Sequence, residues 1–194
     1  MRFVLPRSVC KTNSMAGMST PRDPEKTAPR WQPCGAGHVA VYGTLRAGGV
    51  NDIARLDPHV ACVGRTWLTG SLYDLGWYPG LRLEGAQQVL AEVYAMDDAL
   101  EQAMDRIEGL WPEDVGEYAK RILTLPVALP GGAVQPLPVL VYEALPATVA
   151  HAPGIAASDW LAWANEQGKG ALHAGGAFAL NAAQNKSWVP PSTQ

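Results

Sequence analysis

The sequence predicts an α+β fold, a small mixed barrel or strongly curled sheet covered on one side by helix. Three observations predict it. Six apolar stretches show strand-type spacing, only two segments show helical spacing, and the 194 residues include 20 glycines and 16 prolines. Ordinary usage gives roughly 23 of these two together at this length, so the chain is rich in turns and a helical bundle is disfavoured.

The strand candidates are residues 38–42, 62–67, 70–73, 88–96, 117–127 and 138–143, each bounded by Gly, Pro or Asp punctuation. In the fifth, Tyr118, Lys120, Ile122 and Thr124 face one way while Ala119, Arg121, Leu123 and Leu125 face the other, as in a sheet with unlike faces. The first helix runs over 98–107, with Asp98 as N-cap and Glu101 three residues on; Leu100, Ala103, Met104 and Ile107 make its apolar stripe. The second covers 158–167, opening on Ser158 and Asp159 and ending at Gly168. Residues 1–37 carry few large apolar side chains and read as a disordered leader, 38–168 as the folded domain, and the Ala-, Gly- and Asn-rich 169–194 as a loosely packed tail.

Composition narrows the function classes. Fifteen Lys and Arg against eighteen Asp and Glu give a net charge of −3, which offers no broad cationic surface to nucleic acid. Cys10, Cys34 and Cys62 are odd in number and far apart, the pattern of a reducing compartment. Neither they nor His38, His59, His151 and His173 have metal-ligand spacing, so no metal is expected. The opening apolar run breaks at Pro6 and Arg7, short of a signal peptide, and no run approaches the roughly 18 apolar residues of a membrane span. A soluble cytoplasmic protein with no membrane partner is expected.

Two segments could carry chemistry. Val41-Tyr42-Gly43-Thr44-Leu45-Arg46-Ala47-Gly48-Gly49 runs from a strand straight into a Gly-containing turn, where successive amides lose their ladder partners and can converge on an anion. Gly43 permits close approach of the backbone. The loop lacks the Gly-Lys-Ser/Thr ending of a P-loop, and an ordinary turn is the competing reading. Glu108 lies beside the Leu100, Met104 and Ile107 stripe and in the last helical turn, where burial and the macrodipole both raise a carboxylate's pKa toward the range of a proton shuttle. A solvated glutamate at a helix end is the alternative, and Glu101 and Asp105 fit that alternative better. Trp77 and Tyr78, in the turn at 77–80, could wall a pocket but are expected to plug the end of the barrel, and Trp160 and Trp163 to pack in the core.

Four ordered pieces, VYGTLRAGG followed by Asn51, GSLYDLGWYPGL, EVYAMDDALEQAMDRIEGL, and EYAKRILTL with LVYEAL, resemble the gamma-glutamylcyclotransferase-like family, which includes gamma-glutamylamine cyclotransferases and AIG2-like proteins. The resemblance spans roughly residues 38 to 165. It implies a small mixed beta-barrel with flanking helices, a substrate-binding loop at Tyr42, Gly43, Thr44 and Leu45, and a catalytic glutamate at Glu108. There is one departure: the family commonly shows Tyr-x-Arg at the start of the following strand, whereas here Tyr118 is followed by Lys120 and then by Arg121, which faces the other way.

The activity implied is cofactor-independent release of 5-oxoproline and a free amine from a small-molecule gamma-glutamyl amide. A non-catalytic ligand-binding or regulatory module with the same barrel is the alternative. The oligomeric state and the identity of the amide are left open by the sequence.

Overall fold

The computed structural model describes residues 30–169. The expected leader up to residue 29 and the expected tail from residue 170 lie outside the described residues. In chain order the elements are β1 (His38–Val41), β2 (Cys62–Asp74), β3 (Pro79–Ala95), α1 (Asp98–Ile107), β4 (Tyr118–Ala128), β5 (Val134–Ala144), α2 (Pro146–Val149), β6 (Gly154–Ile155) and α3 (Trp160–Glu166). A 3₁₀ turn, Ile53–Arg55, sits between β1 and β2.

Five strands close into a barrel. β3 pairs with β1, β1 with β5, β5 with β4, β4 with β2, and β2 returns to β3. Every contact is antiparallel except β1 with β5, where Val39 lies opposite Leu140, and that one contact makes the barrel mixed. β6 adds to the side of β2. Leu68 and Leu72 of β2, Leu81, Val89, Ala91 and Val93 of β3, Ala40 of β1, Val127 of β4 and Val139 and Val141 of β5 form one buried cluster. Since all five strands contribute, this cluster is the barrel interior. α3 adds Trp160 and Ala164 to it.

The opposite faces of β1 and β5 are buried too. Val39, Val41, Leu140, Tyr142 and Ala144 meet Leu100 and Met104 of α1 in a second cluster. The two central strands therefore read as continuous apolar runs rather than alternating ones.

Several boundaries differ from those read in the sequence. The stretches 62–67 and 70–73 are one strand, and β3 begins at Pro79 rather than at 88, so the 77–80 turn runs directly into a strand. Pro79 is the first strand residue, where a missing amide costs no interior ladder bond. Within this long hairpin the register jumps from Gly70 opposite Gln87 to Ser71 opposite Arg82, so the Gly-containing stretch between them is a bulge, not a break. β5 starts at Val134 despite Pro136 and Pro138. Pro136 lies opposite Pro126 and Pro138 opposite Thr124, two steps along the same phase, positions at which the ladder needs no amide from β5. The cap of α1 is Asp97, whose side chain accepts from the Leu100 amide at 2.8 Å, one residue before the expected Asp98. α3 is capped by Asp159.

The packed structure also reaches upstream of His38. The Trp31 indole N–H donates to Asp105 at 2.7 Å and the Cys34 amide to Glu101 at 2.9 Å, while Cys34 and Ala36 pack against the cluster under α1. Residues 31–37 thus form a strap on α1, held by hydrogen bonds to carboxylates rather than by the apolar content whose scarcity suggested a leader. Among the described residues, no helix is long and apolar enough to cross a membrane.

Candidate active site

The chain leaves β1 at Tyr42 and turns sharply. The Arg46 amide donates to the Gly43 carbonyl at 3.1 Å, the Gly49 amide to the Arg46 carbonyl at 2.9 Å and the Asn51 amide to the Thr44 carbonyl at 3.1 Å. A Cβ at residue 49 would lie 2.2 Å from the Thr44 carbonyl oxygen, so only glycine closes this loop. Arg46 is buried and anchors the loop: its guanidinium donates to Asp159 at 2.7 Å and reaches Glu92 at 3.5 Å, and Glu92 also accepts from the Ala47 amide at 2.9 Å. The amides of Gly43, Thr44 and Leu45 lie outside these bonds. Among the described residues they donate to no acceptor.

Tyr42, Gly43, Thr44 and Leu45 line a cavity of about 230 Å³, and Glu108 lines the same cavity from the end of α1. The structure therefore brings together all five residues singled out in the sequence. Gly43 has a packing role as well: a Cβ there would stand 2.7 Å from Pro79 Cγ and 2.9 Å from Cδ, so the space its missing side chain leaves is filled by the Pro79 ring.

Glu108 is the C-cap of α1, its amide bonded to the Met104 carbonyl at 2.9 Å. Burial pushes its carboxyl up from an ordinary 4.5 to about 7, helped by the charges of Glu117 and Asp105. Among the described residues no side chain or amide donates to its carboxylate. Three tyrosines around it are committed to the scaffold. Tyr42 donates to the Tyr142 carbonyl at 2.9 Å, Tyr118 to the Pro79 carbonyl at 3.0 Å, and Tyr142 to Asp105 at 2.8 Å. Burial above all holds these three hydroxyl protons far above the usual phenol range. The Glu108 carboxyl is thus displaced to near neutrality while these phenols hold their protons.

Glu101 and Asp105 do not fit the solvated reading given to them. They are 1% and 2% exposed, on the α1 face turned to the sheet. Lys120 of β4 lies 2.5 Å from each, and the Trp31, Cys34 and Tyr142 donors complete their surroundings. The apolar stripe is correspondingly rotated, and Ile107, expected on the buried face, is 42% exposed at the cavity. Trp77 and Tyr78 wall the cavity instead of plugging the barrel; Trp160 lies in the barrel cluster and Trp163, half-buried, packs against it, as expected of both. Glu117 also lines the cavity and accepts from the Tyr78 hydroxyl at 3.4 Å. Its place immediately before β4, beside Tyr118, is the one sequence signal for it. Among the described residues no three His, Cys, Asp or Glu side chains converge as a metal site requires.

The family model described as gamma-glutamyl cyclotransferase, AIG2-like, matches residues 39–162. The chain belongs to this family. The match runs from β1 into α3 and includes all five candidate site residues. A Vibrio cholerae protein that carries the name gamma-glutamylcyclotransferase provisionally is 41% identical over 70 residues, which cover 36% of this chain and 60% of that protein's length. Among solved structures, an AIG2-like protein of Mus musculus is 24% identical, covering 64% of this chain and 88% of its own, at a TM-score of 0.48. An uncharacterized protein of Pyrococcus horikoshii is 21% identical, covering 68% and 95%, at 0.46. At such scores the family assignment rests on the family model. Within this family member, Lys120 and Arg121 diverge as their alternation requires: Lys120 turns to α1, and Arg121 donates to Glu143 at 2.8 Å on the other side of the strand.

Proposed function

We propose that this family member is a gamma-glutamyl cyclotransferase-type enzyme, releasing 5-oxoproline and a free amine from a gamma-glutamyl amide. The observation that carries the reading is one cavity with Glu108, its pKa pushed up to about 7, on one wall and, on another, the amides of Gly43, Thr44 and Leu45, which have no acceptor among the described residues.

In such a substrate the α-nitrogen attacks its own γ-carbonyl carbon. The C–N bond to the amine breaks as the five-membered lactam closes, and no water or oxidant enters the balance. The α-ammonium loses two protons as the neutral lactam forms; Glu108 takes them in turn and passes them to the departing nitrogen, which leaves as an ammonium, a role worth on the order of 10² to 10⁴ in rate. A pKa near 7 suits it, since the same carboxyl must be base in one step and acid in the next. The loop amides hold the α-carboxylate or the oxyanion that develops on the γ-carbonyl, without a charged side chain. Folding the substrate into its cyclising conformer supplies several further kcal/mol.

The test is incubation with a panel of gamma-glutamyl amides, followed by mass spectrometry for 5-oxoproline and free amine. Turnover that Glu108→Gln lowers by about two orders of magnitude or more supports the assignment. Binding of 5-oxoproline without turnover of any amide would leave a ligand-binding module in its place.

A further inference from the structure

Three apolar side chains are exposed at the mouth of the cavity, each from a different element. Trp77, in the β2–β3 turn, is 76% exposed, Ile107 at the end of α1 is 42% exposed, and Val50 in the loop after β1 is 36% exposed. All three line the cavity. Trp77 belongs to neither buried cluster, yet its turn is well held: the Leu75 amide donates to the Tyr78 carbonyl at 3.1 Å and the Gly76 amide to Asp74 at 2.9 Å. An exposed apolar patch of this kind marks a contact surface, and here it continues a cavity whose roughly 230 Å³ is smaller than the about 300–1,000 Å³ of pockets that enclose larger ligands. The remainder of a larger amide would rest on the rim.

The charges at the cavity limit what that remainder can be. Among the described residues, its lining includes Glu108 and Glu117 and no Lys, Arg or His. The two cations of β4 that follow Tyr118 are engaged elsewhere, Lys120 with Glu101 and Asp105, and Arg121 with Glu143. One anionic group can be met by the Gly43–Leu45 amides. A second would face two glutamates with no cation to offset its desolvation.

We propose that the rim formed by Trp77, Ile107 and Val50 is the pocket for the departing amine, selective for an uncharged apolar or aryl-alkyl group and against one bearing a carboxylate. The departure of the amine rests on the cyclotransferase reading, but the selectivity of the rim is a binding property and can be read separately. Three substrates decide it: gamma-glutamyl benzylamide, gamma-glutamyl methylamide and gamma-glutamylglycine. Turnover is measured as 5-oxoproline release by the wild-type chain, and binding by calorimetry on Glu108→Gln.

The benzylamide is expected to exceed both others by about 10-fold or more in kcat/KM and in affinity, the scale of discrimination an apolar pocket gives. Trp77→Ala should bring the benzylamide-to-methylamide ratio close to one, and Trp77→Phe should retain most of it, with melting temperatures little changed because the side chain is exposed. Equal or better handling of gamma-glutamylglycine would overturn the proposal, as would a ratio indifferent to Trp77→Ala. A Trp77→Ala chain that differs instead in oligomeric mass would make the patch a contact between copies. If no amide is turned over, the cyclotransferase reading falls while the binding order still decides the rim: the same order upholds its selectivity, and no order or no binding removes it.

Discussion

Replacing Glu108 by Gln tests the environment of the carboxyl independently of any substrate. Its pKa rises from an ordinary 4.5 to about 7 on folding, first through burial and then through Glu117 and Asp105. The folded chain therefore holds this proton more tightly than the unfolded chain, and wild-type stability falls as pH rises from about 4.5 through 7. A full shift of that size is worth about 3 kcal/mol; partial exposure through the cavity mouth screens some of it, leaving on the order of 1–3 kcal/mol. Gln carries no such penalty. The stability difference between Glu108→Gln and wild type should thus be smallest near pH 4 and grow in favour of the variant up to about pH 8. Urea denaturation of both proteins at pH 5 and 8 measures it, and titrations common to both largely cancel in the difference. A gap that stays constant, or one that favours wild type as pH rises, would refute the burial argument. The same variant should lose about two orders of magnitude in turnover if the general acid/base assignment is right.

Glu117→Gln removes the second-largest cause of the Glu108 shift, so the acid limb of the kcat/KM profile should move to lower pH; an unmoved limb would mean that Glu108 does not set it. Gly43→Val must push Pro79 aside and should cost about 1–3 kcal/mol, whereas Thr44→Ser keeps both amide and hydroxyl and should be mild, as melting curves and 5-oxoproline affinity on both variants will show. A chain starting at His38 should melt about 5 °C or more below one starting at Trp31, because it loses the Trp31 and Cys34 donors to buried carboxylates; equal melting would show that the strap contributes nothing. Lys120→Met strands Glu101 and Asp105 without their cation and should destabilise by about 3 kcal/mol in urea, and a loss under 1 kcal/mol would contradict the pairing.

The elements that local pattern could show were those whose pattern is local. The alternation from Tyr118 onward marked β4 and placed Lys120 and Arg121 on opposite sides, as their partners Glu101 and Glu143 bear out. The long β2–β3 hairpin was hidden because its glycines and Pro79 look like turn punctuation, whereas they form a bulge and a strand start, a distinction that depends on the partner strand. Closure of the ring was out of reach for periodicity altogether. It rests on single pairings, Val39 with Leu140 and Arg65 with Ala128, between strands far apart in sequence, so the pattern of short strands left a barrel and a strongly curled sheet both open, and the resemblance favoured the barrel.

The site shows the same division, and α1 makes the reason plain. The loop and Glu108 could be found because each sits at an element boundary with a recognisable neighbour sequence. Glu101 and Asp105 were misread because a carboxylate among apolar residues looks like the polar face of a helix, and the groups that make burial tolerable lie on β4, on β5 and in the strap before β1. One turn further along, Glu108 is half-buried at the cavity and, among the described residues, has none of those donors. Where a carboxylate receives a lysine, an indole N–H and a phenol, it can be structural; where it receives none, the remaining relief is a proton, and the position is poised near neutrality. The contrast between Asp105 and Glu108, rather than burial alone, is the physical argument for assigning proton transfer to the second and scaffolding to the first.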